Sequence, residues 1–510
     1  MFRFSYHMLK DLPRLGWGMV VRKDQNAVDV YCGDLVEQKQ NWFVSGVWDG
    51  DFSKADFAAA KFFCATGAKI EQDRVVVYSP THERQRICYF EKEDSITVSN
   101  SIPLLLAVAD KRIEKEFWEY EKVLCSILWG TKEYTRDIPI ADGLKIKQIF
   151  CADIAVDQRL AIQIAPKAIH RDFTDYQDYF WSVSDVCGKI RDNGLDQNRG
   201  QKYKLAATAS SGYDSSACAA ILKHVGCDTL MTFKGGTYDE DSAVTIAKQL
   251  GYNKIIERKY RDYLEKSGCK DAEFYVCGDI GIYMQFSAFE DDFAGHIVSI
   301  GTSGSYIWDK DGDVNPESKR SGYDFYTANL SFSENALIKG YVVLPLPLYG
   351  STAVQSIQRV SNSPEMAPWT LHTEYDRPIC RRILETAGVD GALFGHVKYG
   401  AGFALSKNFT VQQIKPKMSA EGYQSFVQWL QETGNNRWPV RRVLRMLQYH
   451  IVSIPVYAAY FAQKLHIKTS WGKGSIAYCN PGLPAKLIIW GMETMSEKYA
   501  KSMKQRDCDE

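Results

Sequence analysis

Short apolar runs with a period near two open the chain: Gly18-Met-Val-Val21, Ala27-Val-Asp-Val-Tyr31, Trp42-Phe-Val44, Arg74-Val-Val-Val-Tyr78, Ile87-Cys-Tyr-Phe90 and Ser95-Ile-Thr-Val98. Turns of Asp, Asn, Gly and Pro separate them. Alternation at this spacing predicts antiparallel sheet layers over residues 1–170, interrupted by a helix from Lys115 to Trp129. The polar stretch Arg191 to Lys202 closes a linker of helix and loop assigned to 171–202.

From residue 203 the pattern changes. A buried strand ending near Thr208 gives way to a small-residue turn and a helical period over Ser215 to His224. A second strand, Thr229 to Phe233, is followed by the acidic turn Asp239-Glu-Asp241 and a helix with Ala243 and Ala247 on one face. Strand, helix, strand and helix in this order predict a parallel sheet, so the fold class is α/β joined to α+β, with a third segment over 203–510. The most apolar late stretch, Ile451 to Leu465, contains Pro455 and is too short to span a bilayer; a core helix is expected there.

Composition narrows the function classes. A chain of 510 residues with 45% hydrophobic content can bury more than one core. Lys plus Arg balances Asp plus Glu at 62 each, which gives no global field for nucleic acid or an anionic membrane. The 13 cysteines show no C-x-x-C pair, and the nine histidines show no H-E-x-x-H. Reduced thiols and the absence of an apolar leader at Met1 to His7 lead us to expect a cytoplasmic protein.

The most informative chemistry lies in Ala206-Ala-Thr-Ala-Ser210-Ser-Gly-Tyr-Asp-Ser-Ser-Ala217. Small residues between a strand and a helix let backbone N–H groups approach a phosphate, and Ser210, Ser211 and Ser215 add hydroxyls. Asp214 in such a turn calls for a metal ion beside the phosphates. No G-x-x-x-x-G-K-[ST] occurs, which disfavours kinase-like transfer.

The pattern Ser210-x-Gly212-x-Asp214-Ser215 resembles the pyrophosphate loop of ATP pyrophosphatases, with Ser211 where a second glycine is usual. Further segments resemble asparagine synthetase-like proteins in the same order. Ser79 to Ser101 and Ile138-Pro-Ile-Ala-Asp-Gly143 are similar to the late part of their glutaminase domain. Tyr341 to Leu348, Arg377 to Gly388 and Val389 to Phe403 are similar to synthetase-domain segments. The resemblance implies an Ntn-hydrolase-like N-terminal fold and a nucleotide α-hydrolase-like parallel sheet. It also implies MgATP, with Ala209, Ser210, Ser211, Gly212, Tyr213, Ser215, Gly301 and Thr302 around the phosphates and Phe233, Lys234 and Gly235 along adenine. Asp214 would bind Mg²⁺. Tyr306 stands where the family has a second metal-binding aspartate; Asp309, or Asp311 and Asp313 after it, would substitute, the other reading of Asp309 to Asp313 being a solvated loop. Lys398 would stabilise charge in the transition states.

One departure bears on the reaction. Glutamine-dependent members carry a cysteine nucleophile at position two, whereas this chain has Phe2, and its first cysteine is Cys32. The resemblance is therefore to members with a degenerate glutaminase domain, such as β-lactam synthetases and lasso-peptide cyclases. The expectation is an AMP-forming ligase acting on a small-molecule or peptide carboxylate and an amine, without glutamine hydrolysis; a non-catalytic nucleotide-binding scaffold is the alternative. A pathway protein partner or a homodimer stays open. Arg437, Arg441, Arg442 and Arg445 are read as the solvated side of a helix.

Overall fold

In the computed structural model, which describes residues 1–168, 171–234, 241–266, 271–279, 281, 283–310, 330–373, 375–396, 411–433 and 483–509, the alternation read from the sequence becomes two stacked sheets. Ala27–Cys32 shows the principle: Val28, Val30 and Cys32 are fully buried, while Ala27, Asp29 and Tyr31 face outward. It pairs antiparallel with Trp17–Arg22, Met19 opposite Val30. The seven-stranded sheet runs Arg3–Met8, Ala27–Cys32, Trp17–Arg22, Ser95–Ser99, Ile87–Glu91, Lys145–Ile149 and Asp137–Pro139. The six-stranded sheet runs Ile162–Pro166, Ala152–Asp157, Arg74–Tyr78, Phe63–Glu71, Trp42–Trp48 and Glu37–Gln38.

Their inner faces share one core, in which Met19, Val30 and Val98 of the first sheet meet Phe43, Val77 and Ile154 of the second. Phe2 belongs to that core and is 3% exposed. All pairs are antiparallel except Arg3–Met8, which runs parallel to Ala27–Cys32.

Two expectations for this half need correction. The helix foreseen over Lys115 to Trp129 is confined to Tyr120–Leu124, followed by a 3₁₀ turn at Ser126–Trp129. Tyr120 is the cause, because its hydroxyl accepts the Glu114 N–H and lies within hydrogen-bond distance of the Glu114 and Pro139 carbonyls, which ties residues 114–119 into a turn. Arg191 to Gly194, read as the start of a polar linker, is the last turn of the helix Tyr176–Gly194, whose apolar face (Tyr179, Val183, Val186, Ile190) is buried.

Beyond that helix lies a five-stranded parallel sheet in the order Lys254–Lys259, Thr229–Lys234, Lys204–Thr208, His296–Ser299, Val342–Leu344. Both faces are covered, as a parallel sheet requires. Leu205, Ala207 and Leu230 join the helices Tyr176–Gly194, Tyr213–His224 and Pro378–Thr386. Ala206, Met231 and Val298 meet Phe289, Phe332 and Tyr341 on the other side. The architecture is thus mixed α/β, with two antiparallel sheets and one parallel sheet.

The last helix, Leu483–Asp509, brings the chain's two ends together: Leu487, Trp490 and Tyr499 share a core with Leu104, Leu105 and Tyr120. Among the described residues no helix is long and apolar enough to cross a membrane. Ile451 to Leu465 and the arginines from Arg437 to Arg445 lie outside the described residues.

Candidate functional site

Strand order in the parallel sheet reverses between Lys204–Thr208 and His296–Ser299, and ligands of such sheets bind beyond the carboxyl ends of the strands at that switch. A cleft opens there. Its polar end is formed by Ser210, Gly212, Asp214, Ser215, Thr302 and Asp241, and its apolar end by Met231, Phe233, Tyr283, Phe286, Phe289 and Phe332. A concave site with a few convergent polar groups at one end and aromatic walls at the other suits an amphipathic ligand.

Two loops make the polar end. Gly212 is the N-cap of the helix Tyr213–His224, so its positive dipole end points at the cleft. Opposite, the turn Gly301-Thr-Ser-Gly304 follows the fourth strand, with Ser303 in the left-handed region at φ 74°. The loops touch through glycine: a Cβ at Gly301 would lie 2.5 Å from both Cα and N of Ser215, and one at Gly304 would lie 2.6 Å from Cβ of Asp214. Thr302 Oγ1, on the cleft wall, is buried without a hydrogen-bond partner among the described residues.

Four successive N–H groups of the first loop already have partners. Ser210 donates to Ser215 Oγ (3.1 Å), Ser211 to Asp241 Oδ1 (3.1 Å), Gly212 to Ser210 Oγ (3.2 Å) and Tyr213 to Tyr375 Oη (3.4 Å). Hydroxyl and carboxylate oxygens thus stand where a phosphate's oxygens would be received. Burial pushes the Asp241 carboxyl up, although its bonds from Ser211 pull the other way.

Several expected site residues face elsewhere. Ser211 is not part of the cleft wall; its Oγ donates to Asp241 (2.8 Å), which is. Tyr213 is fully buried under Arg381, whose Nη2 donates to its hydroxyl at 2.9 Å. Lys234 turns outward to Glu257, at 2.8 Å. Phe233 lines the cleft among Phe286 and Phe289, with ring centroids 5.1 and 4.8 Å away. Ala209, Gly301 and Thr302 line it as expected. Gly235, Asp311, Asp313 and Lys398 lie outside the described residues. The last described residues before Lys398 are anchored on the loop, since Gly395 N–H donates to Ser211 C=O at 2.9 Å.

Asp214 and Asp309 are brought together by a residue the sequence did not single out. Arg377, 5% exposed, places Nη1 3.0 Å from Asp309 Oδ1 and Nε 3.8 Å from Asp214 Oδ1. Burial pulls its proton affinity down, but the two carboxylates more than offset this and hold it above its ordinary value. Arg377 caps the helix Pro378–Thr386, with Pro378 at its first position. That proline marks the helix start in the sequence, but nothing there links Arg377 to Asp214. Tyr375 and the aromatic wall from Tyr283 to Phe289 were also missed, because contributions from separate chain segments leave no local spacing.

The hydroxyls of Ser210 and Ser215 and the orphaned Thr302 Oγ1 line the cleft at a helix N-terminus, a donor set that suits a nucleotide's phosphates. For Mg²⁺ it fits only in part. Among the described residues no group of three or more His, Cys, Asp or Glu side chains is placed to hold a metal, so an ion would need phosphate oxygens beside Asp214.

A scan against protein-family models finds no match, and a search of curated proteins finds no similar sequence.

Proposed function

We propose that the chain is an ATP-dependent amide-forming ligase of the asparagine synthetase-like type, with a PP-loop nucleotide domain and an Ntn-type sandwich without glutaminase chemistry. The observation that carries this reading is the cleft at the switch point, whose phosphate-suited loop adjoins an aromatic wall suited to adenine. A substrate carboxylate would attack the α-phosphorus of ATP with pyrophosphate leaving, and an amine would then attack the acyl carbon of the adenylate, giving up a proton as AMP leaves. Ser210, Gly212, Ser215 and Thr302 would receive the phosphates, and Phe233 would flank the base. Mg²⁺, when bound, would offset phosphate charge at Asp214. Lys398 would oppose charge that develops on the reacting groups, an effect felt in the transition state more than in the ground state.

The sandwich supports an amine donor other than glutamine. Position two holds a core phenylalanine, and Cys32 is fully buried, its thiol pushed up to about 12 by burial. A second reading, a nucleotide-binding scaffold without turnover, draws on the four N–H groups of residues 210–213 that are satisfied internally.

Product analysis separates the readings. Given MgATP and a panel of carboxylates with amines, the protein should release AMP and pyrophosphate, and Lys398→Ala should lower that rate by ~10²–10³ while leaving ATP binding intact. ADP and orthophosphate as products would overturn the ligase reading. ATP binding without pyrophosphate release from any pair would favour the scaffold.

A further inference from the structure

We propose that a small cavity between the N-terminal sandwich and the parallel sheet is a binding site for one monovalent anion of halide size, held by His82, Ser45 and Arg84. The site is separate from the phosphate loop and does not rest on the nucleotide reading.

The cavity lies where two strands of the six-stranded sheet, Trp42–Trp48 and Phe63–Glu71, meet the helix Phe332–Lys339 and the strand Val342–Leu344. Ser45 and Cys64 line it from those two strands, His82 and Arg84 from the loop between Tyr78 and Ile87, and Phe332 and Leu337 from the helix. Its space suits a group about the size of one or two water molecules. Phe332 lines both this cavity and the cleft at Ser210, so the two are neighbours.

Two side chains on the wall carry an orphaned polar atom. His82 is 2% exposed and Ser45 6%, and neither His82 Nε2 nor Ser45 Oγ has a hydrogen-bond partner among the described residues. The other imidazole nitrogen fixes the tautomer: Nδ1 accepts the Arg84 N–H at 3.2 Å, so the neutral ring carries its proton on Nε2. Burial keeps the ring neutral, lowering its value to about 3. Nε2 is therefore a buried donor, which costs stability unless something in the cavity accepts from it.

The lining decides the sign of that occupant. Arg84, itself buried, is the one charged side chain among the described residues that line the cavity. The adjacent Glu83 lines a different cavity, with Lys167. Asp279, another carboxylate near Arg84, already accepts the N–H groups of Leu330 and Ser331. Burial lowers the proton affinity of Arg84 even though Glu83, Tyr283 and Asp279 raise it. An imidazole N–H, a hydroxyl able to donate and a guanidinium present donors and positive charge. An anion, which only accepts, answers that set better than water, whose two hydrogens would need acceptors of their own.

The test uses the full-length protein exchanged into sodium gluconate, whose anion is too large for the cavity. Bromide then replaces gluconate at constant ionic strength while thermal unfolding is followed, and crystals grown in bromide locate the ion by its anomalous scattering. We expect a saturable rise in melting temperature for the wild type and an anomalous peak within hydrogen-bond distance of His82 Nε2 and Ser45 Oγ. Ser45→Ala, which deletes one donor and little volume, should weaken bromide binding about tenfold. His82→Phe should abolish it, and Ser45→Ala carries the test if His82→Phe does not fold. A water in the cavity with no anomalous signal at saturating bromide would overturn the site. So would bromide bound at crystal concentration only, with no saturable effect in solution. Halide stabilisation that Ser45→Ala retains in full would place the ion elsewhere, such as the loop at Ser210, and would overturn the site as well.

Discussion

The carboxylate of Asp241 holds Ser211 twice, accepting its backbone N–H at 3.1 Å and its hydroxyl at 2.8 Å. A protein anion thus occupies an N–H group of the loop that is proposed to receive pyrophosphate.

Its removal should help an incoming anion. Asp241→Ala takes the carboxylate off the Ser211 N–H, which keeps its bond to the residue 241 C=O (3.1 Å), and deletes a like charge, and one partly exposed charge at about 4 Å is worth ~1 kcal/mol or more. Pyrophosphate should therefore bind about fivefold tighter or better to the variant, measured by calorimetry. Equal or weaker binding would show that Asp241 supports the loop rather than competing for it.

Gly301 lets the two loops touch. Gly301→Ala sets a methyl group 2.5 Å from the Ser215 backbone, where no flexible side chain can yield. Overpacking of this kind costs ~1–3 kcal/mol, so thermal unfolding should shift down and nucleotide affinity should fall with it. An unchanged melting temperature would mean that the two loops separate readily.

The N-terminal sandwich should produce no glutamate from glutamine, with or without ATP. Phe2→Cys should not create the activity, because the new thiol would replace a core side chain, and truncating a buried phenylalanine typically destabilises by ~3–5 kcal/mol for the change to alanine. Glutamate formation above buffer controls, followed by coupled enzymatic assay, would refute this.

Glu334 sets a pH dependence. It is 3% exposed, accepts hydrogen bonds from Tyr499 Oη (2.7 Å) and Ser101 Oγ (3.0 Å), and burial pushes its carboxyl up to about 7. An acid whose value is raised on folding contributes stability that is fully present below its unfolded value and is lost as pH rises through the folded one. That window runs from about 4.5 to about 7. Glu334→Gln, which imitates the protonated acid, should match the wild type near pH 4.5 and exceed it at pH 8 in urea unfolding. A constant difference across the range would exclude Glu334 as the source.

How far the sequence carried the structure depended on whether a signal was local. Period-two runs such as Ala27 to Tyr31 and Arg74 to Tyr78 became strands because each buries alternate residues against one facing sheet. Arg3–Met8 went unread: Phe4, Tyr6 and Met8 alternate in it, but Phe4 and Tyr6 pack on the core only in part and none of its six residues is buried. The Ser210 to Ser215 turn was legible as an anion loop, because small residues between a strand and a helix constrain the backbone directly. Tyr375 and Phe332, which reach the cleft from distant segments, were not, and neither was Arg377, which meets Asp214 and Asp309 only after the sheet has assembled. Ser211 shows the limit in the other direction: the sequence marks its hydroxyl as a phosphate donor, yet it donates to Asp241.

The helix Leu483–Asp509 has a consequence for synthesis on the ribosome. Its Leu487, Trp490 and Tyr499 cover Leu104, Leu105 and Tyr120, nearly four hundred residues upstream in a chain of 510. While translation proceeds, the helix Ile102–Val108 emerges early but waits with part of its apolar surface bare until almost the entire polypeptide has cleared the exit tunnel. The nascent N-terminal sandwich consequently carries that bare surface through elongation, and a stop codon shortly before residue 483 would leave it uncovered and prone to aggregate.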